Sequence, residues 1–217
     1  MKIVFWASGN GGTMKFVHQA IKELSLDAKI VAVISERDCG SVEYARKNGI
    51  PTRVIIPWRE RTNEIVKDIQ SFDPDYVVTN IFKILPKEIF NCCKAKFVNL
   101  HYSLLPSFGG VIGFKTLELA KEVNSQIVGA TCHFVEEEVD GGKIISQAAI
   151  PVDWNEDFAV IGDRVFRIAC EAFLNGLMIL DNKITGSSKT STVIYSPSLR
   201  YDNSVFTEVF WNYIKNS

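Results

Sequence analysis

Asn99, His101 and Asp140 are the residues of this chain whose types and spacing best suit chemistry. Asn99-Leu100-His101 closes an apolar run that begins at Phe97. In an extended segment alternate side chains leave on one face, so the amide of Asn99 and the imidazole of His101 emerge side by side. Both can reach one carbonyl oxygen: the amide donates a hydrogen bond, and the imidazole donates as imidazolium or carries a proton. A histidine satisfied by backbone is the plainer alternative, and a position at the carboxyl end of a strand favours function over it. Asp140 precedes Gly141-Gly142, so its backbone is free to turn towards a ligand. Its carboxylate could orient the imidazole and hold a water that relays a proton. The neighbouring Glu136, Glu137 and Glu138 read as a solvated acidic turn. Of the other histidines, His18 lies mid-helix as a surface or packing residue, and His133, in a β-like run, has a supporting or structural role.

A second constellation is Ser8-Gly9-Asn10-Gly11-Gly12-Thr13, between the first apolar run and the first helical pattern. Glycines there let the backbone turn tightly, and the free N–H groups at a helix start can hold a phosphate. Thr13 can cap the helix or add a hydroxyl. The spacing is not that of a dinucleotide-binding fingerprint, and the lysine of a P-loop is missing. An ordinary strand-to-helix turn therefore stays open as an alternative.

These residues need a scaffold. Apolar runs at 2–7, 30–34, 52–56, 76–79 and 97–100 alternate with helical patterns at 13–24, 41–47, 63–70 and 86–92. Strands without polar alternation, separated by helices, imply a parallel sheet covered on both faces. Right-handed crossovers make it a doubly wound α/β fold, whose ligands sit beyond the carboxyl ends of strands. The chemistry is thus expected after Ala7, Thr79 and Leu100. Further on, 127–135 and 143–150 read as a hairpin-like antiparallel pair, and 157–180 as the longest helix. Residues 185–192 read as an exposed loop, 192–195 as a strand and 206–214 as a helix. The fold expected is a mostly parallel, doubly wound α/β sheet with antiparallel strands in the C-terminal half. It forms a single domain over 1–217, with one half at 1–100 and the other at 101–217.

Composition narrows the function. The chain has 217 residues with 24 Lys+Arg against 25 Asp+Glu, so a nucleic-acid backbone has no broad basic surface to bind. No apolar run approaches the roughly 20 residues that cross a bilayer, and the start is too short for a signal peptide. Five cysteines without framework spacing fit reduced thiols in the cytoplasm, and no Cys/His spacing fits a metal.

Ser8-Gly9-Asn10-Gly11, then Asn99-x-His101-x-Ser103-Leu104-Leu105-Pro106, then Asp140-Gly141-Gly142 resemble, in this order, the 10-formyltetrahydrofolate-dependent formyltransferases, the glycinamide ribonucleotide type above all. The resemblance spans about residues 1–180. It implies a Rossmann-type first half that holds a phosphorylated amine and a cleft for reduced folate between the two halves. It also implies that Asn99, His101 and Asp140 are catalytic, and that Gly11, Gly12 and Thr13 hold the substrate phosphate. Lys83, Ile84 and Leu85, with Asn99, Val139 and Asp140, would line the folate site. Pro106 and Glu171 are further substrate candidates, Glu171 standing in for a family glutamate that contacts ribose. The implied cosubstrate is 10-formyltetrahydrofolate, with no metal, in a monomer or homodimer without nucleic-acid or membrane partners. The departures fall on the acceptor side and the tail: lysine at Lys83 where arginine is usual, no histidine in 109–114, and an unmatched stretch after Thr185. An N-formyltransferase of nucleotide-linked amino sugars, a 10-formyltetrahydrofolate hydrolase and a non-enzymatic nucleotide-binding module are the alternatives.

Overall fold

A computed structural model describes residues 1–81, 85–90, 94–182 and 193–217. The chain divides into two compact units, Met1–Asn99 with Asn212–Ser217, and Leu100–Trp211.

The first unit is parallel. Its strands are β1 (Lys2–Ala7), β2 (Lys29–Ser35), β3 (Thr52–Val54), β4 (Tyr76–Asn80) and the start of β5 (Lys96–His101). They lie in the order β3-β2-β1-β4-β5, every neighbouring pair parallel. The connecting helices are α1 (Gly12–Glu23), α2 (Gly40–Lys47), α3 (Thr62–Phe72) and α4 (Lys87–Phe90). Ile3 to Ala7 are all buried, the result of an apolar strand covered on both faces. β3 stops at Val54 instead of reaching Ile56. Ile55 still donates to the carbonyl of Ser35 at 2.9 Å, but Ile56 is exposed and Pro57 has no N–H with which to continue a ladder. The first helix begins where Gly11 adopts φ +74°, a left-handed conformation that a Cβ disfavours. A Cβ at Gly11 would also lie 2.7 Å from the Ser41 hydroxyl, so α2 starts directly against this turn.

The second unit is antiparallel. β6 (Ile127–Phe134) pairs with β7 (Ile144–Pro151), and β7 with β8 (Ile194–Ser196). The α/β class is therefore as expected, parallel in the first part and antiparallel in the second. α5 (Lys115–Glu122) precedes β6, and α6 (Phe158–Leu180) follows β7. Asp157 caps α6 by accepting from the N–H of Ala159 at 2.7 Å. Ile161, Val165, Ile168 and Ala172, at helical spacing, pack on Leu117, Val128, Ala148 and Ile150. Each fully buried aliphatic side chain contributes about 1.5–3 kcal/mol. A 3-10 turn at Asn203–Val205 leads to α7 (Glu208–Asn216). The terminal helix thus starts two residues later than its apolar pattern suggested, because Asp202 caps the preceding turn through the N–H of Ser204 at 2.9 Å.

Candidate active site

β5 delivers the first two site residues. Asn99 is half-buried, Leu100 points into the core, and His101 is buried. Leu100 and His101 are thus both buried, and the common face of the amide and the imidazole stays an expectation from the period of two along a strand.

Asp140 reaches His101 from the turn between β6 and β7. Oδ2 of Asp140 lies 3.2 Å from Nδ1 of His101, with both side chains largely shielded from solvent. The turn that carries it is closely built. Gly142 packs so tightly against Phe134 that a Cβ would sit 1.9 Å from the Phe134 carbonyl oxygen. Asp140 itself adopts φ +53°, a left-handed conformation uncommon for a residue with a side chain. The N–H of Gly110 donates to the same Oδ2 at 2.8 Å, so one carboxylate oxygen serves both the imidazole and the loop beyond it. Glu136, Glu137 and Glu138 are exposed.

The second nitrogen of His101 is also engaged: Nε2 lies 3.1 Å from the carbonyl oxygen of Phe108. A carboxylate and a carbonyl can only accept. Both are satisfied at once when the ring carries a proton on each nitrogen. No local pattern announces this contact, which depends on the path of residues 103–110. That path is pinned at its start. The Thr131 hydroxyl donates to Ser103 O at 2.7 Å and accepts from Leu105 N at 3.0 Å. Gln147 donates to Leu105 O at 3.2 Å. Pro106, a substrate candidate from the sequence, is exposed on this loop.

His133 completes the group. Its Nδ1 donates to the Phe134 carbonyl at 2.8 Å, and its Nε2 lies 3.5 Å from Oδ1 of Asp140. Burial pushes its pKa below the usual imidazole value, with the bond to Phe134 and the charge of Asp140 acting in the opposite sense. A neutral ring protonated on Nδ1 turns a bare nitrogen towards the carboxylate, which accounts for the longer separation. The supporting role expected for His133 thus becomes a specific one, at the far oxygen of Asp140. Next to it, burial raises the Cys132 thiol to about 12, so that sulfur is an inert packing group.

The Gly-rich turn lies in the first unit. Ser41 holds it through two bonds to the Gly9 carbonyl, from the hydroxyl at 2.7 Å and from the N–H at 3.1 Å. No side chain caps α1. Gly11 and Gly12 are half-buried, and Thr13 is buried.

The remaining candidates are placed differently. Lys83 and Ile84 lie outside the described residues, as do Cys92 and Cys93. Leu85 is buried, and Val139, next to Asp140, is half-exposed. Glu171 is buried, and its carboxylate accepts from the Tyr195 hydroxyl and, at 3.0 Å, from the Asn203 amide. Burial raises its pKa above the usual carboxylate value. Its partners come from the tail after Thr185, which matched nothing in the sequence. Among the described residues no cluster of His, Cys, Asp and Glu could hold a metal, and no helix is long and apolar enough to cross a membrane.

A parallel α/β unit, an Asn-x-His strand end and an aspartate on an Asp-Gly-Gly turn are the features by which the sequence resembles the formyltransferases. Residues 1–177 match the family described as formyl transferase, and the chain belongs to that family. Phosphoribosylglycinamide formyltransferase of Escherichia coli is 33% identical over 159 residues, covering 70% of this chain and 74% of its own. The chloroplastic phosphoribosylglycinamide formyltransferase of Arabidopsis thaliana is 31% identical over 175 residues, covering 76% of this chain and 60% of its own. The chain therefore spans less than two thirds of that plant relative. The crystal structure of phosphoribosylglycinamide formyltransferase from Anaplasma phagocytophilum has a TM-score of 0.74 at 28% identity, covering 85% of this chain and 89% of that one.

Proposed function

We propose that this chain transfers the formyl group of 10-formyltetrahydrofolate to the primary amine of 5′-phosphoribosylglycinamide, as a cytoplasmic enzyme of purine synthesis. The observation that carries this reading is the pair made by His101, at the end of β5, and Asp140, on the turn between β6 and β7.

The amine attacks the formyl carbon, a C–N bond forms, and the carbonyl oxygen takes up negative charge. The Asn99 amide and the doubly protonated His101 ring donate to that oxygen. One such donor contributes roughly 3–4 kcal/mol to the transition state. Asp140 balances the charge on the ring and orients it. It also holds the water through which the proton lost by the amine reaches the folate nitrogen as the old C–N bond breaks. Every proton is returned, and no covalent bond to the protein is needed. The backbone N–H groups of Gly11, Gly12 and Thr13, at the uncapped start of α1, take the phosphate. Lys83, Ile84, Leu85, Val139 and Asp140 contact the folate. The acceptor's ribose is not assigned to Glu171, whose carboxylate is already held by Tyr195 and Asn203.

The test is a panel of amines supplied with 10-formyltetrahydrofolate, with hydrolysis as the blank. Phosphoribosylglycinamide is expected to give the highest formylation rate. Faster formylation of a nucleotide-linked amino sugar, or formate release without any amine, would overturn the reading.

A further inference from the structure

After β5 ends at His101, residues 102–110 form neither helix nor strand, so side chains must take up main-chain groups that a ladder would otherwise pair. Two residues of the β6–β7 pair do this. Thr131 and Gln147 stand opposite each other across that pair, on one face of the sheet. The Thr131 hydroxyl, fully buried, is saturated. It donates to the Ser103 carbonyl at 2.7 Å and accepts from the Leu105 N–H at 3.0 Å and from the Gln147 amide at 3.0 Å. The same amide nitrogen donates to the Leu105 carbonyl at 3.2 Å. Both main-chain groups of Leu105 are therefore held by side chains. From there the hold passes along the loop. The Ser103 hydroxyl donates to the Ser107 carbonyl, and the next carbonyl, of Phe108, meets Nε2 of His101 at 3.1 Å. Every residue in this chain of contacts lies in the second unit. Asp140 holds the other nitrogen, Nδ1, at 3.2 Å. A ring held at one nitrogen keeps a swing about that bond, and the second contact removes it.

We propose that Gln147 and Thr131 are positioning residues for formyl transfer, which set the plane of the His101 ring by fixing the Phe108 carbonyl against its Nε2. Neither touches His101 itself. At 3.1 Å the Phe108 contact is longer than the commonest N–H···O distance, and its proton can be shared with a substrate oxygen in a three-centre bond. The tether thus aims the ring without withholding its proton. Misplacing an acting group by about 1 Å costs up to roughly 10²-fold in rate, even when the substitution lies away from the chemistry. This inference rests on the formyl-transfer reading above and adds to it the residues that aim its histidine.

The test is Gln147→Met, which removes both amide donors at nearly constant length, beside Thr131→Val and Thr131→Ser. Each is compared with the wild type in kcat, in KM and in the imidazole 15N resonances of His101, well below its melting temperature. Gln147→Met and Thr131→Val should lose roughly ten- to hundredfold in kcat, with KM for both substrates little changed. In both, the Nε2 resonance should move as the bond to Phe108 loosens, while that of Nδ1, held by Asp140, stays. Thr131→Ser keeps the hydroxyl and should recover most of what Thr131→Val loses. If Thr131→Val does not fold, Gln147→Met decides alone. A Gln147→Met protein with wild-type kcat, a lowered kcat with both ring resonances unmoved, or Thr131→Ser as slow as a folded Thr131→Val would overturn the inference and leave the proposed function intact. A wild type that formylates no amine would remove the proposed function, and the Nε2 resonance of Gln147→Met would then show by itself whether Gln147 aims the ring.

Discussion

Replacing Asp140 by asparagine separates the charge of the carboxylate from its shape. Oδ2 accepts from His101 at 3.2 Å and from the Gly110 N–H at 2.8 Å, while Oδ1 faces the Nε2 of His133 at 3.5 Å. An asparagine amide can match this pattern. Its oxygen takes the Oδ2 position, and its NH2 donates to the bare nitrogen of neutral His133. What it cannot supply is the negative charge opposite a doubly protonated ring. A hydrogen bond to a charged group contributes about 1.5–3 kcal/mol against about 1 for a neutral one. The ground state therefore loses roughly 1–2 kcal/mol, and the melting temperature should move by only a few degrees. The transition state loses more. His101 loses the anion that orients it, and the proton relay loses its anchor, the latter contributing up to about the 10²–10⁴-fold expected of acid–base catalysis. The expected result is a kcat reduced by 10²-fold or more, with KM for both substrates within a few-fold and a native circular dichroism spectrum. The assay is formyl transfer to phosphoribosylglycinamide under saturating folate, with kcat and KM determined separately. A variant within about tenfold of wild-type kcat would refute the reasoning, because the charge would then be dispensable.

Two further outcomes follow from other parts of the molecule. Gly11→Ala forces a Cβ into a left-handed residue and to 2.7 Å from the Ser41 hydroxyl, so it should destabilise the fold by at least about 1–2 kcal/mol and raise KM for the phosphorylated acceptor much more than KM for the folate, as chemical denaturation and steady-state kinetics would read. Glu171→Gln tests the buried carboxyl. Its folded pKa is raised above the unfolded value of 4.5, so the stability this group contributes is fully present below pH 4.5 and is lost as pH rises through the folded pKa. The glutamine variant has no such loss. Its melting temperature relative to wild type should therefore climb between pH 4.5 and 8, and a flat difference across that range would exclude a raised pKa.

The parts of the fold legible in the sequence are those governed by short-range period. The unbroken apolar run of β1 and the long helix over 157–180 appear in the structure where they were expected. Asp140 was within reach because the Asp-Gly-Gly turn advertises backbone freedom. What the sequence did not carry are contacts set by the path of a loop. The Phe108 carbonyl reaches His101 only because Thr131 and Gln147 pin Ser103 and Leu105, and no local pattern links those residues. Glu171 is a similar case. Its helix was plain, but Tyr195 and Asn203 lie far along the chain, beyond residues that offered no periodic signal, so its burial could not be anticipated.

The Asp140-Gly141 sequence has a consequence for how long the protein stays active. An aspartate followed by glycine is open to self-attack, in which the next peptide nitrogen closes on the side-chain carbonyl and the residue emerges as isoaspartate. Here the Gly141 nitrogen is committed to the Glu138 carbonyl at 3.2 Å, and the carboxylate is drawn towards His101, Gly110 and His133. The folded turn thus guards the residue from chemical ageing, and loosening it would cost the protein shelf life as well as rate.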